Sequence, residues 1–304
     1  MLEAINRFFD GDVWYSFKQS PITIVAAVFA LICILAAVLA PLIAPHNPYD
    51  LAQISLINSN LPPAWSVGGN ASFLLGTDQQ GRDILSTIMY GSRVSLLVAL
   101  CAVVIAILMG VGLGLLAGYV GGRVDSIIMR LADIQLTFPS ILVALLIAGV
   151  GRQFVPRDLQ DSLAIYVIIL SISLTGWVQY ARTVRGSTLV EKSKEYVQAA
   201  RVIGVPRWTI MFRHVLPNVL GPVLVIATLN IATAILTEAT LSFLGVGMPS
   251  TQPSLGTLIS EGNNYLFSGE WWITVFPGLA LIVMVVSVNL LGDWLRDALN
   301  PKLR

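Results

Sequence analysis

The chain has 304 residues, a formal net charge of +1 and 56% hydrophobic residues. Only 12% are Asp, Glu, Lys or Arg, against roughly 25% in ordinary soluble domains, and the mean hydropathy of +0.78 is more apolar surface than a soluble fold of this size can hide. The composition therefore points to lipid as the solvent, and near-neutral charge with no basic patch interleaved with aromatics gives no sign of nucleic-acid binding.

The apolar runs come in chain order. Residues 1–21 form a short N-terminal segment. Ile22 to Ala44 is 23 residues without a charge, long enough to cross a hydrocarbon core of about 30 Å. It is too long for the apolar core of a signal peptide, and no cleavage site ends it. Residues 45–93, rich in Pro, Asn and Gly, separate it from a core of further spans over 94–292. Val94 to Ala117 is the second span. The third centres on Ile141 to Gly149. It needs a helix starting near Ser126, which puts Arg130, Asp133 and Pro139 near one of its ends. Leu163 to Val178 is the fourth, Val219 to Ile235 the fifth, running on through Glu238, and Trp272 to Leu291 the sixth. Trp271-Trp272 suits a membrane interface. Uniformly apolar runs of this length favour helices over barrel strands, so the fold class expected is all-α and polytopic, with six transmembrane helices.

The basic residues orient these spans. With the N-terminus inside, fourteen fall inside: Arg7 and Lys18, Arg123 and Arg130, seven from Arg182 to Arg213, then Arg296, Lys302 and Arg304. Four fall outside: Arg82, Arg93, Arg152 and Arg157. That bias predicts both termini on the cytoplasmic side, including the tail 293–304, and 45–93 on the outer side.

Cys33 and Cys101 lie in apolar runs and read as small hydrophobes. His46 and His214 are too far apart in sequence to suggest a metal or catalytic pair. No catalytic residue and no metal ligand set is expected. The chain has no G-x-x-x-x-G-K-[ST] either.

Gly110, Gly114 and Gly118 recur every four residues, which lines one helix face and lets another backbone approach closely. Packing within the chain and contact with another subunit both fit that spacing. Among the intramembrane charges, Asp133 lies three residues after Arg130, which suggests a local ion pair, with a place on a translocation path or a pairing with another permease as the alternative. Glu238 could pair with a partner subunit or face a translocation path. Asp78, Arg82, Asp83 and Arg93 cluster before the second span. They read as local ion pairs or as a periplasmic contact surface.

The stretch 181–217 interrupts the apolar pattern with seven positive and two negative residues. If Glu195 to Ile203 is a helix, Tyr196, Ala199, Ala200 and Ile203 share a face. Gly204 breaks it, Pro206 suits a helical first turn, and Trp208, Met211, Phe212 and Val215 repeat the spacing. Leu216-Pro217 is expected to end this second helix before the fifth span. Such a hinged pair could lie on the anionic inner leaflet or dock into a groove on a soluble partner. Its small residues favour docking.

Glu195, Ala199, Ala200 and Gly204, spaced E-x-x-x-A-A-x-x-x-G and followed by His214-Val215-Leu216-Pro217, resemble the EAA loop of binding-protein-dependent ABC import permeases. Leu75 to Asp78, Gly81 to Asp83, Gly91 to Leu96, Phe138-Pro139, Ser242 to Gly245, Phe276 to Gly278 and Leu291 to Pro301 resemble the C-type permease of the dipeptide/oligopeptide/nickel group. Thr87, Trp294, Asn300 and the Val205-Pro206 hinge depart from its usual pattern.

The resemblance implies a type I ABC importer permease fold. It implies a non-catalytic subunit forming half of a pore, with a second (B-type) permease as its heterodimer partner. Two ATPase subunits that bind ATP and Mg, and a periplasmic substrate-binding protein, would complete the assembly, with no cofactor in this chain. Glu195, Ala199, Ala200, Gly204, Arg207, Trp208 and His214 would form the ATPase-coupling surface. Di- or oligopeptides are the expected cargo, with nickel, opines or glycosides, or an ATP-independent secondary transporter, as the alternatives.

Overall fold

The computed structural model describes residues 12–50 and 54–299. Sequence features at Arg7, Asn300-Pro301, Lys302 and Arg304 lie outside them. Among the described residues the regular structure is helical, apart from a single bridge between Thr77 and Asp83.

A short helix α1 (Asp12–Gln19) leads into α2 (Pro21–Val38). Ser20 starts α2 by accepting the Thr23 N–H at 3.3 Å, and Pro21 follows in the first turn, where its missing N–H costs nothing. A further turn, Ala40–Ile43, completes the first apolar run.

The next helix, α3 (Ile84–Val120), starts well before the expected Val94. Its cap decides this: the Asp83 carboxylate accepts the Ser86 N–H at 2.9 Å and the Ser86 hydroxyl at 2.5 Å, satisfying donors that an uncapped helix would leave open. The stretch between the first and second spans, expected to reach Arg93, therefore gives way to helix at Ile84.

The third span is not the single helix expected from near Ser126. It is α4 (Gly122–Thr137) and α5 (Ser140–Gln153), bent by 96°. Phe138-Pro139 is the physical cause, because a residue before proline is pushed out of the helical region and proline lacks the donor needed to continue. Phe138 is extended, with φ −101° and ψ 145°.

The fourth span, α6 (Gln160–Glu191), outlasts the predicted Val178 and carries Arg182 and Arg185 beyond the apolar part. It is followed by α7 (Glu195–Val202), α8 (Arg207–Phe243), α9 (Leu255–Asn263) and α10 (Trp272–Leu299). Among the described residues, five helices are long and apolar enough to cross a membrane, and six spans result if the bent pair is one span.

Helix α3 packs most extensively on α6, and the two run parallel: Gly110 faces Trp177 and Tyr180, and Gly118 faces Arg185 and Thr188. A main core of Val98, Ala99, Ile168, Ile235, Leu241 and Met284 joins α3, α6, α8 and α10. Leucines and valines such as Leu31, Leu108 and Leu224 point outward, as a lipid-facing surface requires. The bundle has one basic end, holding Arg182 to Arg213, and a far end, holding α9 and the loop residues 54–83.

Candidate coupling surface and intramembrane cleft

At the basic end, α7 is a short amphipathic helix with a defined stop. The Val205 N–H donates to the Ala200 carbonyl at 3.0 Å and the Gly204 N–H to the Arg201 carbonyl at 3.1 Å. Those two bonds make a Schellman cap, whose left-handed residue is Gly204 at φ +82°. Val205 packs on the Ala200 cluster, which completes the motif. Pro206 then leads into α8.

The face expected on α7 is divided by the structure. Val197 and Ala200 are buried against Ile210, Met211 and Val215. Tyr196, Ala199, Val202 and Ile203 are exposed, together with Trp208 and Phe212 on α8. The rings of Trp208 and Phe212 stack at 6.3 Å.

The second short helix does not end at Leu216-Pro217 as expected. It runs into the fifth span through a π-helical turn, Ile210–Val215. Pro217 cannot donate to the carbonyl four residues back, and widening the preceding turn accommodates it without breaking the rod. The hinge therefore sits directly on a membrane-crossing helix.

Polar contacts fix the hinge to the end of α6. Glu191 accepts the Tyr196 hydroxyl at 2.5 Å and pairs with Lys194 at 2.7 Å. Burial, and then the neighbouring carboxylate, push the Tyr196 phenol above its ordinary range. Tyr196 also donates to the His214 carbonyl at 3.1 Å; the half-buried His214 contributes its backbone here. Arg201 lies 5.8 Å over the Tyr119 ring. Beside it, Arg207, Trp208 and Gly204 help line an open cavity of about 730 Å³. Glu195 is exposed at the start of α7.

Within the bundle, a second feature escaped the sequence reading. A cleft of about 190 Å³ is lined by Ser140, Thr175, Gln179, Asn230, Thr233 and Thr237 beside apolar residues. It opens next to the α4–α5 bend. Gln135 holds that bend on α6: it donates to the Leu174 and Thr175 carbonyls at 2.8 and 3.0 Å and accepts the Trp177 indole N–H at 2.9 Å. The available signal was the 230, 233, 237 spacing, which places three neutral polar residues on one face of an apolar helix.

Residues 110–304, well over half of the chain, match the family described as binding-protein-dependent transport system inner membrane component. The chain belongs to this permease family. Residues 9–63 match the N-terminal transmembrane domain of oligopeptide transport permease C, which places the permease in the C-type branch. It is 40% identical to the dipeptide transport system permease protein DppC of Haemophilus influenzae, over 96% of this chain and 95% of that one. It is 43% identical to DppC of Escherichia coli K12, over 96% and 93%, and 36% identical to the oligopeptide transport system permease protein OppC of Bacillus subtilis, over 96% and 90%. In fold it resembles a chain of the inward-facing MetNI methionine ABC transporter, with TM-score 0.54 and 17% identity, over 70% of this chain and 96% of that one. The permease has the all-α, multi-pass architecture of type I ABC importers.

The other candidate residues of the permease divide among the readings the sequence left open. Asp133 pairs with Arg182 of α6, and not with Arg130. Arg130 shares helix α4 with Asp133, but the cation that meets the carboxylate comes from α6.

Glu238 is fully buried within the chain. Its two oxygens accept the Ser95 and Ser242 hydroxyls, each at 2.7 Å. Gly110, Gly114 and Gly118 face α6 of the same chain, so their stripe serves internal packing and not a subunit contact.

At the far end, Asp78 and Arg82 are buried together. Arg82 donates to Asp78 at 2.6 Å, to Glu261 at 3.1 Å and to the Ser250 carbonyl at 3.0 Å. Asp83 is spent on the α3 cap. Asp78 and Arg82 thus staple the loop to α9, and all three residues are buried; Arg93 alone of the four is exposed.

Proposed function

We propose that this permease forms half of the translocation pore of an ATP-driven importer for di- or oligopeptides, coupling through the α7–α8 hinge to separate ATPase subunits. The names of its relatives support the cargo. The second, B-type permease, the two ATPase subunits and the periplasmic binding protein are the partners implied by the family. The chain itself carries no cofactor; ATP and Mg are held by the ATPase partners. The basic end is cytoplasmic, with both termini, in keeping with the excess of Lys and Arg there.

One observation carries the coupling role. The Gly204 cap turns α7 back on α8, so that Val202, Ile203, Trp208 and Phe212 stand exposed at the end of a membrane-crossing rod. An apolar surface of that kind calls for a partner, and Glu195, Ala199 and Arg207 flank it. Ala200 supports it from beneath, and the His214 carbonyl fixes it through Tyr196. Because α8 is continuous from Arg207 to Phe243, a push on the hinge moves the Asn230, Thr233 and Thr237 face of the cleft. The neutral hydroxyl and amide groups of that face suit the amide backbone of a peptide, whatever its side chains.

The test is co-purification in mild detergent. Gly204→Asp should insert in the membrane at normal levels and lose the ATPase subunits. Normal ATPase retention by that variant overturns the coupling role.

A further inference from the structure

Arg93 combines exposure with an apolar setting. Among the described residues it makes no ion pair and no side-chain hydrogen bond. It lines a groove of about 560 Å³ between α2, α3, α8 and α10, whose other walls include Ile34, Leu97, Leu100, Ile231 and Leu291. That volume falls within the roughly 300–1,000 Å³ typical of ligand sites. Of the α3 residues in the groove, Arg93 is the nearest to the far end, as Val38, the last residue of α2, is on the neighbouring helix.

The surroundings of Arg93 mark a headgroup level. Tyr90 lies one turn before it on α3 and packs edge-to-face with Tyr49, ring centroids 5.1 Å apart. Tyrosines concentrate where one end of the ring is wet and the other apolar. Burial pushes the Tyr49 phenol up to about 12, while the charges of Arg82 and Arg93 pull it the other way, so Tyr49 lies within the field of Arg93.

We infer that this groove is a binding site for one anionic phospholipid, its phosphate on Arg93 and an acyl chain along the apolar walls. A bare guanidinium on an apolar face is costly in a membrane unless an anion or water meets it. A guanidinium fork matches phosphate oxygens in geometry as well as charge. A zwitterionic lipid fills the apolar walls equally well but returns less net charge to the arginine. A helix of a second permease would have to supply both a carboxylate and bulk.

The experiment uses the permease co-purified with its transport partners and reconstituted in equal parts of phosphatidylglycerol and phosphatidylethanolamine, followed by native mass spectrometry of retained lipid. The wild type should retain phosphatidylglycerol about fivefold over phosphatidylethanolamine, the ratio one arginine near an anionic lipid supplies. Arg93→Gln should retain both equally. Leu97→Trp should retain neither.

Exposed Cys101 lines the same groove and reports on it without changing Arg93. In a Cys33→Ser background, a fluorophore on Cys101 should be quenched more by spin-labelled phosphatidylglycerol than by the spin-labelled zwitterionic lipid. Equal retention by the wild type, an unchanged preference in Arg93→Gln, or cross-linking of Cys101 to a second permease chain in place of lipid would each overturn the assignment.

Discussion

The carboxylate of Glu238 and the hydroxyl of Ser95, 143 positions apart in the chain, meet at 2.7 Å in the interior of the bundle. Ser242 holds the other carboxylate oxygen at 2.7 Å. The Leu255 N–H at the start of α9 reaches Ser95 at 3.4 Å. One side chain thus joins α3, α8 and α9.

Its hydrogen bonds and not its charge define this junction, and the two are separable. Glu238→Gln keeps the shape and two polar atoms, and should transport with unchanged substrate affinity. Glu238→Leu takes the acceptor away from the buried Ser95 and Ser242 hydroxyls and should lower stability by about 1–3 kcal/mol. Thermal unfolding in detergent together with uptake kinetics checks both. A changed affinity in Glu238→Gln would restore a direct role with cargo.

At Gly204 a new side chain would meet no atom of this chain, so within the permease only the backbone decides the fold of the hinge. Asn tolerates the left-handed region, whereas Ala costs about 1–2 kcal/mol there and a β-branched residue more. ATPase retained per permease should therefore fall in the order Gly, Asn, Ala, Val. A flat series would mean that the hinge angle does not set docking.

Two glycines on α3 give a matched contrast. A Cβ on Gly114 would come 2.9 Å from the Ala181 Cα, while one on Gly112 meets nothing within 4 Å. Gly114→Leu should prevent accumulation in the membrane. Gly112→Ala should be neutral or stabilising by about 0.5–1 kcal/mol. Quantifying membrane-inserted protein and its melting temperature reads out both.

Arg82 and Asp133 are both ion-paired, with opposite consequences. Arg82→Ala leaves the buried Asp78 and the partly buried Glu261 without their cation and should cost about 3–5 kcal/mol. The Asp133 and Arg182 side chains are 64% and 47% exposed, so Asp133→Asn should change stability by less than about 1 kcal/mol. Melting curves of the two variants decide it.

In the cleft, Asn230→Leu and Thr233→Val should slow peptide uptake and leave ATPase association intact. Transport in proteoliposomes, with bound ATPase measured on the same samples, separates the two. Unimpaired uptake would move the translocation path elsewhere.

Much of the hinge was legible because its signals are local. Gly204, Pro206 and the Trp208–Phe212 spacing act within a turn or two of backbone, where sterics and period decide. The inward turn of Ala200 and outward turn of Val202 were not legible. Which side of an amphipathic helix is covered depends on α8, which packs there only through the tertiary fold.

Composition and the placement of Lys and Arg were enough for a multi-span helical membrane protein, because lipid admits few solutions for a backbone that must satisfy its own hydrogen bonds. The chain order of the spans followed from the same constraint. Only the folded molecule decided that the glycine stripe meets α6, that Asp133 turns to Arg182, and that Glu238 is enclosed by serines. In lipid the apolar faces of helices are nearly interchangeable to the solvent, so close fit and polar partners choose the neighbour, and those partners lie far apart along the chain.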